Sequence, residues 1–292
     1  MTVINTNINA LVGMNQLRMT GIGMSTTLER LSSGLRINHA ADDVSGLAIA
    51  KGMEAQIGGI RTAVANAEDA VSLIHTADGA LNETQNVLLR MRDLAVRASN
   101  QATLTSADVS KINTEIRSLM AELTRKSTAV AFNTKVLFSG GFSNGQLLQI
   151  GPNNGAVFNM TITIQPMTLT GLNLAGTANW GATLGSMIIS NYGGTTTALT
   201  LAQTAIDYIN SALNMVSNTR AGIGVQERRL DFIINDLKAE DINTSAAKSR
   251  IMDADMAVEI SELSRLQILQ SSGTSILAQA NALPQSVLQL LR

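Results

Sequence analysis

The chain has 292 residues, a net charge of −1, only 3% aromatic residues and no cysteine. The near-neutral charge excludes a basic surface for nucleic acid, and the lack of cysteine excludes disulfides and thiolate metal ligands. The two histidines, His39 and His75, offer little for zinc or triad chemistry. No stretch predicts a membrane-spanning helix, and the first positive charge, Arg18, comes too late for the basic start of a secretory signal.

Apolar residues recur at heptad spacing near the N-terminus, which predicts a helix with a narrow apolar seam. The seam positions are Met14, Leu17, Gly21, Met24, Leu28, Leu31 and Leu35, preceded one step out of phase by Ile4, Ile8 and Leu11.

Gly34 and the adjacent carboxylates Asp42 and Asp43 interrupt this helical pattern. A close carboxylate pair can serve acid–base chemistry because like charges split their pKa values. Adjacent residues on a helix point about 100° apart, however, which makes a poor catalytic pair. Aspartates at a helix start also accept hydrogen bonds from its free N–H groups. The helix-opening role is therefore favoured.

Two further apolar seams follow. One predicts a long helix over about residues 43–100, and the other predicts a third helix with Ser106 as its N-cap. The first contains Ile57, Ile60, Val64, Ala67, Val71, Ile74, Leu81 and Leu88, and the second contains Val109, Ile112, Ile116, Leu119 and Leu123.

Residues 133–198 differ from the rest because they are rich in glycine and carry one charge, Lys135. Within them, alternate residues of 156–165 are apolar, which predicts a small region of β-hairpins. A helical seam returns from Ala202 to Leu237 and again near the C-terminus, where Pro284 is predicted to kink or restart the helix.

The last helical segment opens with an acidic run, Asp253, Asp255, Glu259 and Glu262. These carboxylates could in principle bind a metal, but no histidine joins them, so a solvated or intersubunit face is favoured. The sequence thus predicts no catalytic residue, no metal, no cofactor and no enzyme. The predicted fold is mainly α, a long antiparallel coiled-coil-like bundle built from both ends of the chain, with a small β-hairpin region inserted in the middle.

The two terminal helices cannot easily be stable alone. Ordering their backbone costs more free energy than the burial of a few large apolar side chains returns, even when the two helices pair. Each end of the chain is therefore expected to become ordered on assembly with other molecules. A membrane is a less suitable partner because neither terminal helix has a polar face rich in Lys or Arg.

Five segments resemble the signatures of bacterial flagellins, in the family's order. They are LERLSSGLRINHAADDVSGLAIA (28–50), RMRDLAVRASN (90–100), AFNTKVL (131–137), SRIMDADMAVE (249–259) and ILAQANALPQSVLQLL (276–291). The chain departs from the family pattern at Val44, at Glu227, where asparagine is usual, and at Thr134, where glycine is common.

The resemblance implies a short flagellin without large variable outer domains, which self-assembles into the helical filament used for swimming. It implies an inner domain of residues 1–41 and 250–292 and an outer rod of residues 42–249, containing the β-rich region of about 133–198. It also implies an extracellular location after export without a cleaved signal peptide. The implied partners are identical subunits, an export chaperone, and cap and hook-junction proteins, with no nucleic acid and no membrane.

One alternative to a filament subunit stays open at this point, a hook–filament junction protein, which has similar ends. An enzyme displayed on a filament is disfavoured, because it would carry an H-E-x-x-H motif that this sequence lacks.

Three groups of site residues follow from the resemblance and the seams. The predicted filament-core packing residues are Ile4, Ile8, Leu11, Leu17, Leu28, Leu31, Leu35, Ile276, Leu283, Val287 and Leu290. The predicted interdomain connection contains Gly34, Asp42 and Asp43. By resemblance, Arg90, Leu94 and Glu115 match the patch that the vertebrate Toll-like receptor for flagellin contacts. The sequence is equally compatible with an alternative, in which Leu94 packs inside the helical bundle and Arg90 is a solvated neighbour.

Overall fold

The structure is a computed structural model that describes residues 7–100, 103–174 and 197–290, without the side chains of 106, 197–202 and 283–290. Five helices dominate these residues: α1 (Ile8–Ser33), α2 (Val44–Ala98), α3 (Ser106–Ala129), α4 (Thr197–Met252) and α5 (Met256–Leu290). Between α3 and α4 lie β1 (Ala131–Phe132), β2 (Lys135–Val136), β3 (Gln146–Gln149), a 3-10 helix (Ala156–Phe158) and β4 (Asn159–Ile162). The predicted fold class is confirmed.

The chain forms two compact units. Unit 1 is Met1–Ile57 with Asp241–Arg292, and unit 2 is Gly58–Glu240. Both boundaries fall inside the long helices α2 and α4, whereas the sequence predicts a division at 41/42 and 249/250, close to the loops that join the helices. That predicted division stays a prediction.

Unit 2 is built on the antiparallel packing of α2 against α4. Fully buried alanines, among them Ala67 and Ala212, lie in its core with larger residues such as Ile74 and Leu81. At one edge Arg220 links the helices, donating from Nε to Asp78 Oδ1 at 2.9 Å.

The N-cap of α3 corrects the sequence prediction. Ser106 is the first helical residue, and Thr105 is the cap. The Thr105 hydroxyl oxygen accepts from the Asp108 backbone N–H, while the Asp108 carboxylate accepts from the Thr105 backbone N–H. This reciprocal pair satisfies two donors that the helix leaves free, which a serine one residue later would not do.

The middle of the chain contains two antiparallel hairpins, β1–β2 and β3–β4. In the longer hairpin Gln146 pairs with Ile162 and Gln149 with Asn159. Met160, Ile162 and Ile164 are buried while Thr161 is exposed, so the predicted alternation over this strand is confirmed. The turn predicted at Gly193-Gly194 lies outside the described residues.

Helix α5 is a single helix from Met256 to Leu290 and does not restart at Pro284, so the kink alone stays a prediction. No helix in the described residues is both long and apolar enough to cross a membrane.

The turn of the β1–β2 hairpin contains a strained residue. Asn133 has φ 45° and Thr134 has φ 66°, so both central residues of this two-residue loop are left-handed. Hairpin twist favours this turn, but it suits Asn and Gly, whereas the β-branched Thr134 is strongly disfavoured there.

We therefore expect Thr134→Gly to stabilise unit 2 by about 1 kcal/mol, because glycine adopts positive φ without steric cost. Chemical denaturation of the full chain measures the effect. The matched control is Thr170→Gly, at an exposed turn residue without positive φ, which should leave stability unchanged or lower it. Equal changes at both positions would show that Thr134 is unstrained.

Candidate functional site: the terminal helix pair

Helices α1 and α5 of unit 1 pack antiparallel. Where the two helices meet, a large side chain of one helix packs against a glycine of the other. A Cβ added at Gly273 would lie 2.8 Å from Leu17 Cδ2, and one added at Gly13 would lie 3.3 Å from Leu277 Cδ1. Each leucine therefore occupies the space that a glycine of the facing helix leaves open, in the manner of a knob in a hole.

The buried face of α1 is displaced from the predicted seam. Its buried residues are Ala10, Thr20 and Thr27, whereas Met14 is 49% exposed and Leu28 is 48% exposed. The two threonine hydroxyls donate to carbonyls of their own helix at 3.0 Å, so both are satisfied. Small residues bring the helices close, which leaves Met14 and Leu28 outside a narrow seam.

An ion pair joins α1 to α5 near the end of α1. Arg30 Nη1 lies 3.3 Å from Glu259 Oε1, and the Glu259 side chain is largely buried. Removing one partner would leave the other charge poorly solvated, which is far more costly than losing an exposed pair.

Every member of the acidic run at the start of α5 has a protein partner. Asp253 accepts from the Ser249 hydroxyl, Asp255 accepts from the first amides of α5, Glu259 binds Arg30, and Glu262 binds Arg265. Among the described residues no group of three or more His, Cys, Asp or Glu could hold a metal ion. The structure thus gives these carboxylates capping and pairing contacts.

The chain reverses direction after α1 at Gly34, which has φ 71° and ends the helix with its N–H bound to the Arg30 carbonyl. Left-handed backbone of this kind suits glycine. The following residues run antiparallel to the α4–α5 connection. Arg36 N–H donates to the Met252 carbonyl at 2.6 Å, and Ala254 N–H donates to the Gly34 carbonyl at 2.9 Å.

Asp42 and Asp43 both bind backbone amides. Asp42 Oδ2 accepts from His39 N–H at 2.9 Å and from Asn38 N–H at 3.0 Å. These two bonds, that of His39 first, hold the pKa of Asp42 below its usual value because they favour the carboxylate. Asp43 Oδ1 accepts from Gly46 N–H at 2.8 Å, as a residue that caps α2 does. The pair is thus engaged in local structure.

Unit 1 buries little apolar surface and exposes much. Among its described hydrophobic residues, large and small, six are buried: Ala10, Ile37, Ala50, Ile57, Met252 and Leu266. Sixteen large ones are exposed: Ile8, Leu11, Val12, Met14, Met19, Ile22, Leu28, Val44, Ile49, Ile242, Met256, Val258, Ile260, Ile268, Leu269 and Ile276. In the larger unit 2 only Leu89, Val96, Leu147, Val157, Val225 and Phe232 are exposed among the described residues. Exposed apolar surface of this extent marks an interaction face.

Comparison with known proteins identifies the family. Residues 4–143 match the bacterial flagellin N-terminal helical region, and residues 206–291 match the C-terminal helical region. The flagellin of Halalkalibacterium halodurans is 40% identical over 99% of this chain and 100% of its own length. The chain belongs to the flagellin family. The flagellin of Bacillus subtilis is 39% identical, with 99% of each chain covered.

As a flagellin, the chain is a structural subunit of the flagellar filament, and a hook–filament junction protein is not favoured. A solved structure of a putative flagellar hook-associated protein from Vibrio parahaemolyticus has a TM-score of 0.61, covering 73% of this chain and 100% of its own. Its sequence identity is 16%, so this likeness concerns the fold alone.

The residues predicted to pack the core of a flagellin filament fall into three groups. Ile8, Leu11, Leu28 and Ile276 are exposed on the subunit, while Leu17, Leu31 and Leu35 are half-buried. Ile4 lies outside the described residues, as do the side chains of Leu283, Val287 and Leu290. The first group is available to other subunits, whereas Leu17 is engaged in the α1–α5 seam.

The three residues matched to the flagellin receptor patch differ in their exposure. Arg90 Nε donates to Glu115 Oε1 at 2.8 Å, and both side chains are exposed. Leu94 is 3% exposed and packs in the core of unit 2. A buried leucine cannot act as a surface anchor, so the structure corrects this part of the prediction and agrees with the bundle-packing alternative for Leu94.

Of the departures from the flagellin pattern, Glu227 makes a visible contact and Val44 is exposed. Glu227 of α4 lies 2.8 Å from His75 Nε2 of α2, a contact that sequence reasoning missed because 152 residues separate the two. Val44 is exposed at the first position of α2.

We expect Gly273→Val to impair the terminal pair of this flagellin, because the added methyl groups collide with Leu17. Overpacking of this kind costs about 1–3 kcal/mol, so the critical concentration for filament growth should rise at least about five-fold. Sedimentation of filaments at graded protein concentration measures it.

The control is Gly21→Val, the same change on the facing helix at a position where an added Cβ meets no atom within 4 Å. It should have a smaller effect. If Gly21→Val impaired growth as much as Gly273→Val, the packing of Leu17 against Gly273 would not determine assembly.

Proposed function

We propose that this flagellin polymerises by packing the exposed apolar faces of α1 and α5 against copies of the same chain. The observation that carries the proposal is that, among the described residues of unit 1, six hydrophobic residues are buried and sixteen large ones are exposed. A subunit that cannot bury these faces by itself gains the hydrophobic free energy when neighbours cover them.

The same faces support an open polymer. Contact between two different surfaces, repeated without closure, generates a helical filament. Exposed apolar residues occur on both terminal helices, for example Ile22 on α1 and Ile268 on α5, so each subunit offers two different surfaces. The terminal helices, with the predicted domain of residues 1–41 and 250–292, would then form the filament core.

Ordering of the terminal helices is coupled to assembly in this proposal. On α1 the buried residues of the α1–α5 seam are Ala10, Thr20 and Thr27, which bury little apolar area per residue. The backbone entropy of ordering both helices is therefore balanced only when neighbouring subunits cover the outer faces.

The family resemblance supports the finer parts of the function. They are export without a cleaved signal peptide to an extracellular flagellum, delivery by an export chaperone, contact with cap and hook-junction proteins, and a purely structural role without catalysis. Gly34, Asp42 and Asp43 would form the connection between inner and outer domains. The hydrogen bonds of Asp42 and Asp43 to backbone amides are consistent with that role.

Recognition by a Toll-like receptor for flagellin would use Arg90 and Glu115, with Leu94 supporting the helix from beneath. The exposed Arg90–Glu115 pair offers a guanidinium and a carboxylate on the surface of unit 2. Arginine is frequent among residues that dominate binding energy at interfaces.

The assembly proposal predicts that Val258→Asn weakens polymerisation without destabilising the subunit. Val258 is 61% exposed on α5, so stability of the monomer should change by less than about 0.5 kcal/mol. If a neighbour buries this valine, its loss should raise the critical concentration at least about five-fold. Val157→Asn, at an 88% exposed position of unit 2, is the matched control and should leave growth unchanged. Normal growth of Val258→Asn together with several other exposed α1 and α5 variants would exclude these faces from the interface.

The receptor proposal predicts that Arg90→Ala lowers signalling by purified monomer about ten-fold, since hot-spot arginines contribute strongly to binding. Arg125→Ala is the control, because Arg125 forms a similar exposed pair with Glu122. Both pairs contribute little to stability. A reporter-cell dose response measures the two variants, and equal potency would exclude Arg90 as a contact.

A further inference from the structure

Helix α5 contains a backbone acceptor that its own helix cannot satisfy. Pro284 has no N–H, so the carbonyl four residues earlier, that of Ala280, receives no helical hydrogen bond from this position. Helix α5 nevertheless continues to Leu290. The Ala280 carbonyl instead accepts from the side-chain amide of Asn7, whose Nδ2 lies 2.8 Å away.

The same Asn7 side chain also begins α1. Its Oδ1 accepts from Ala10 N–H at 3.2 Å, and its backbone carbonyl accepts from Leu11 N–H at 3.1 Å. One amide thus uses its acceptor to cap α1 and its donor to bind α5. Aspartate, which caps a helix equally well, has the acceptor but lacks the donor.

At the Leu17 position the seam between the helices discriminates poorly against a shift of one heptad, although the same shift would remove Leu277 from the space beside Gly13. Leu17 now lies beside Gly273, and a shift of seven residues along α5 would place it beside Ala280, which is also small. Such a shift moves α5 by about 10 Å, at about 1.5 Å per residue. The Asn7 bond to Ala280 would then be broken, as would the Arg30–Glu259 pair near the other end of α1.

We propose that Asn7 sets the register of the α1–α5 pair by donating to the carbonyl that Pro284 leaves without a helical donor. This inference rests on the proposed role of the terminal pair in filament assembly. Arg30 and Glu259 fix the register near the opposite end, so the two polar contacts confine a seam of small residues between them.

The test uses the full-length protein with Asn7→Asp. Aspartate caps a helix as well as asparagine does and favours the helix N-terminus, so α1 should still begin at the same residue. It lacks the amide donor and presents a carboxylate to the Ala280 carbonyl. The critical concentration for growth from wild-type seeds should rise roughly three- to ten-fold, the range expected for one hydrogen bond.

Asn9→Asp is the matched control. It adds the same charge two residues away on an exposed side chain, and it should raise the critical concentration less than two-fold. Equal effects of the two substitutions would attribute the loss to charge and overturn the proposal.

Pro284→Ala tests the mechanism directly. Alanine supplies the missing N–H, so the Ala280 carbonyl gains a helical donor and depends less on Asn7. In the Pro284→Ala background, Asn7→Asp should raise the critical concentration by less than about half as much as it does in the wild type. If the rise is the same in both backgrounds, Asn7 does not act through the acceptor created by Pro284.

A chain lacking residues 1–35 separates this inference from the assembly proposal. If that chain still elongates filaments, the proposed role of the terminal pair is wrong. If it does not elongate, but Asn7→Asp grows like Asn9→Asp, the assembly proposal stands and the register proposal alone fails.

Discussion

Leu17 and Leu277 each fill the space beside a glycine of the facing helix, and the rest of unit 1 depends on this close approach. Two helices that meet through glycine, alanine and threonine expose their larger side chains to either side. The hydrophobic free energy that a globular protein uses for its own core is thus left on the outer faces of α1 and α5. Unit 2 differs because α2, α3, α4 and the hairpins enclose a continuous core of large residues.

Within one chain, unit 2 thus uses its apolar residues for folding, whereas unit 1 keeps most of its large ones for assembly. Unit 2 has the buried apolar area of an independent domain, whereas unit 1 has a small cluster of Ile37, Ala50 and Met252 and a thin helical seam. The polar contacts of unit 1 accordingly carry more of its specificity. Arg30 with Glu259, and the capping carboxylates near the chain reversals, define geometry without adding apolar burial.

The sequence was sufficient for the helices, because heptad patterns such as Ile60 to Leu88 report a buried face directly. It was insufficient for the seam of α1, where Met14 and Leu28 are exposed and Ala10, Thr20 and Thr27 are buried, although Leu17 does pack against α5. Periodicity gives weight to large apolar residues, so a seam of small residues is not detected. It also misplaced the α3 cap by one residue, since both Thr105 and Ser106 can cap and only the reciprocal bond with Asp108 distinguishes them. Long-range polar contacts, such as His75 with Glu227, have no sequence signal at all.

The antiparallel backbone contact between residues 34–36 and 252–254 has a mechanical consequence. Its hydrogen bonds run across the two chain segments, as in an antiparallel ladder. A pull along these segments therefore strains both bonds at once, whereas bonds aligned with the pull would open one at a time. Because main-chain atoms make the contact, its resistance to such a load depends on the backbone path that Gly34 permits. A thin, rotating polymer would be exposed to that kind of load at every subunit.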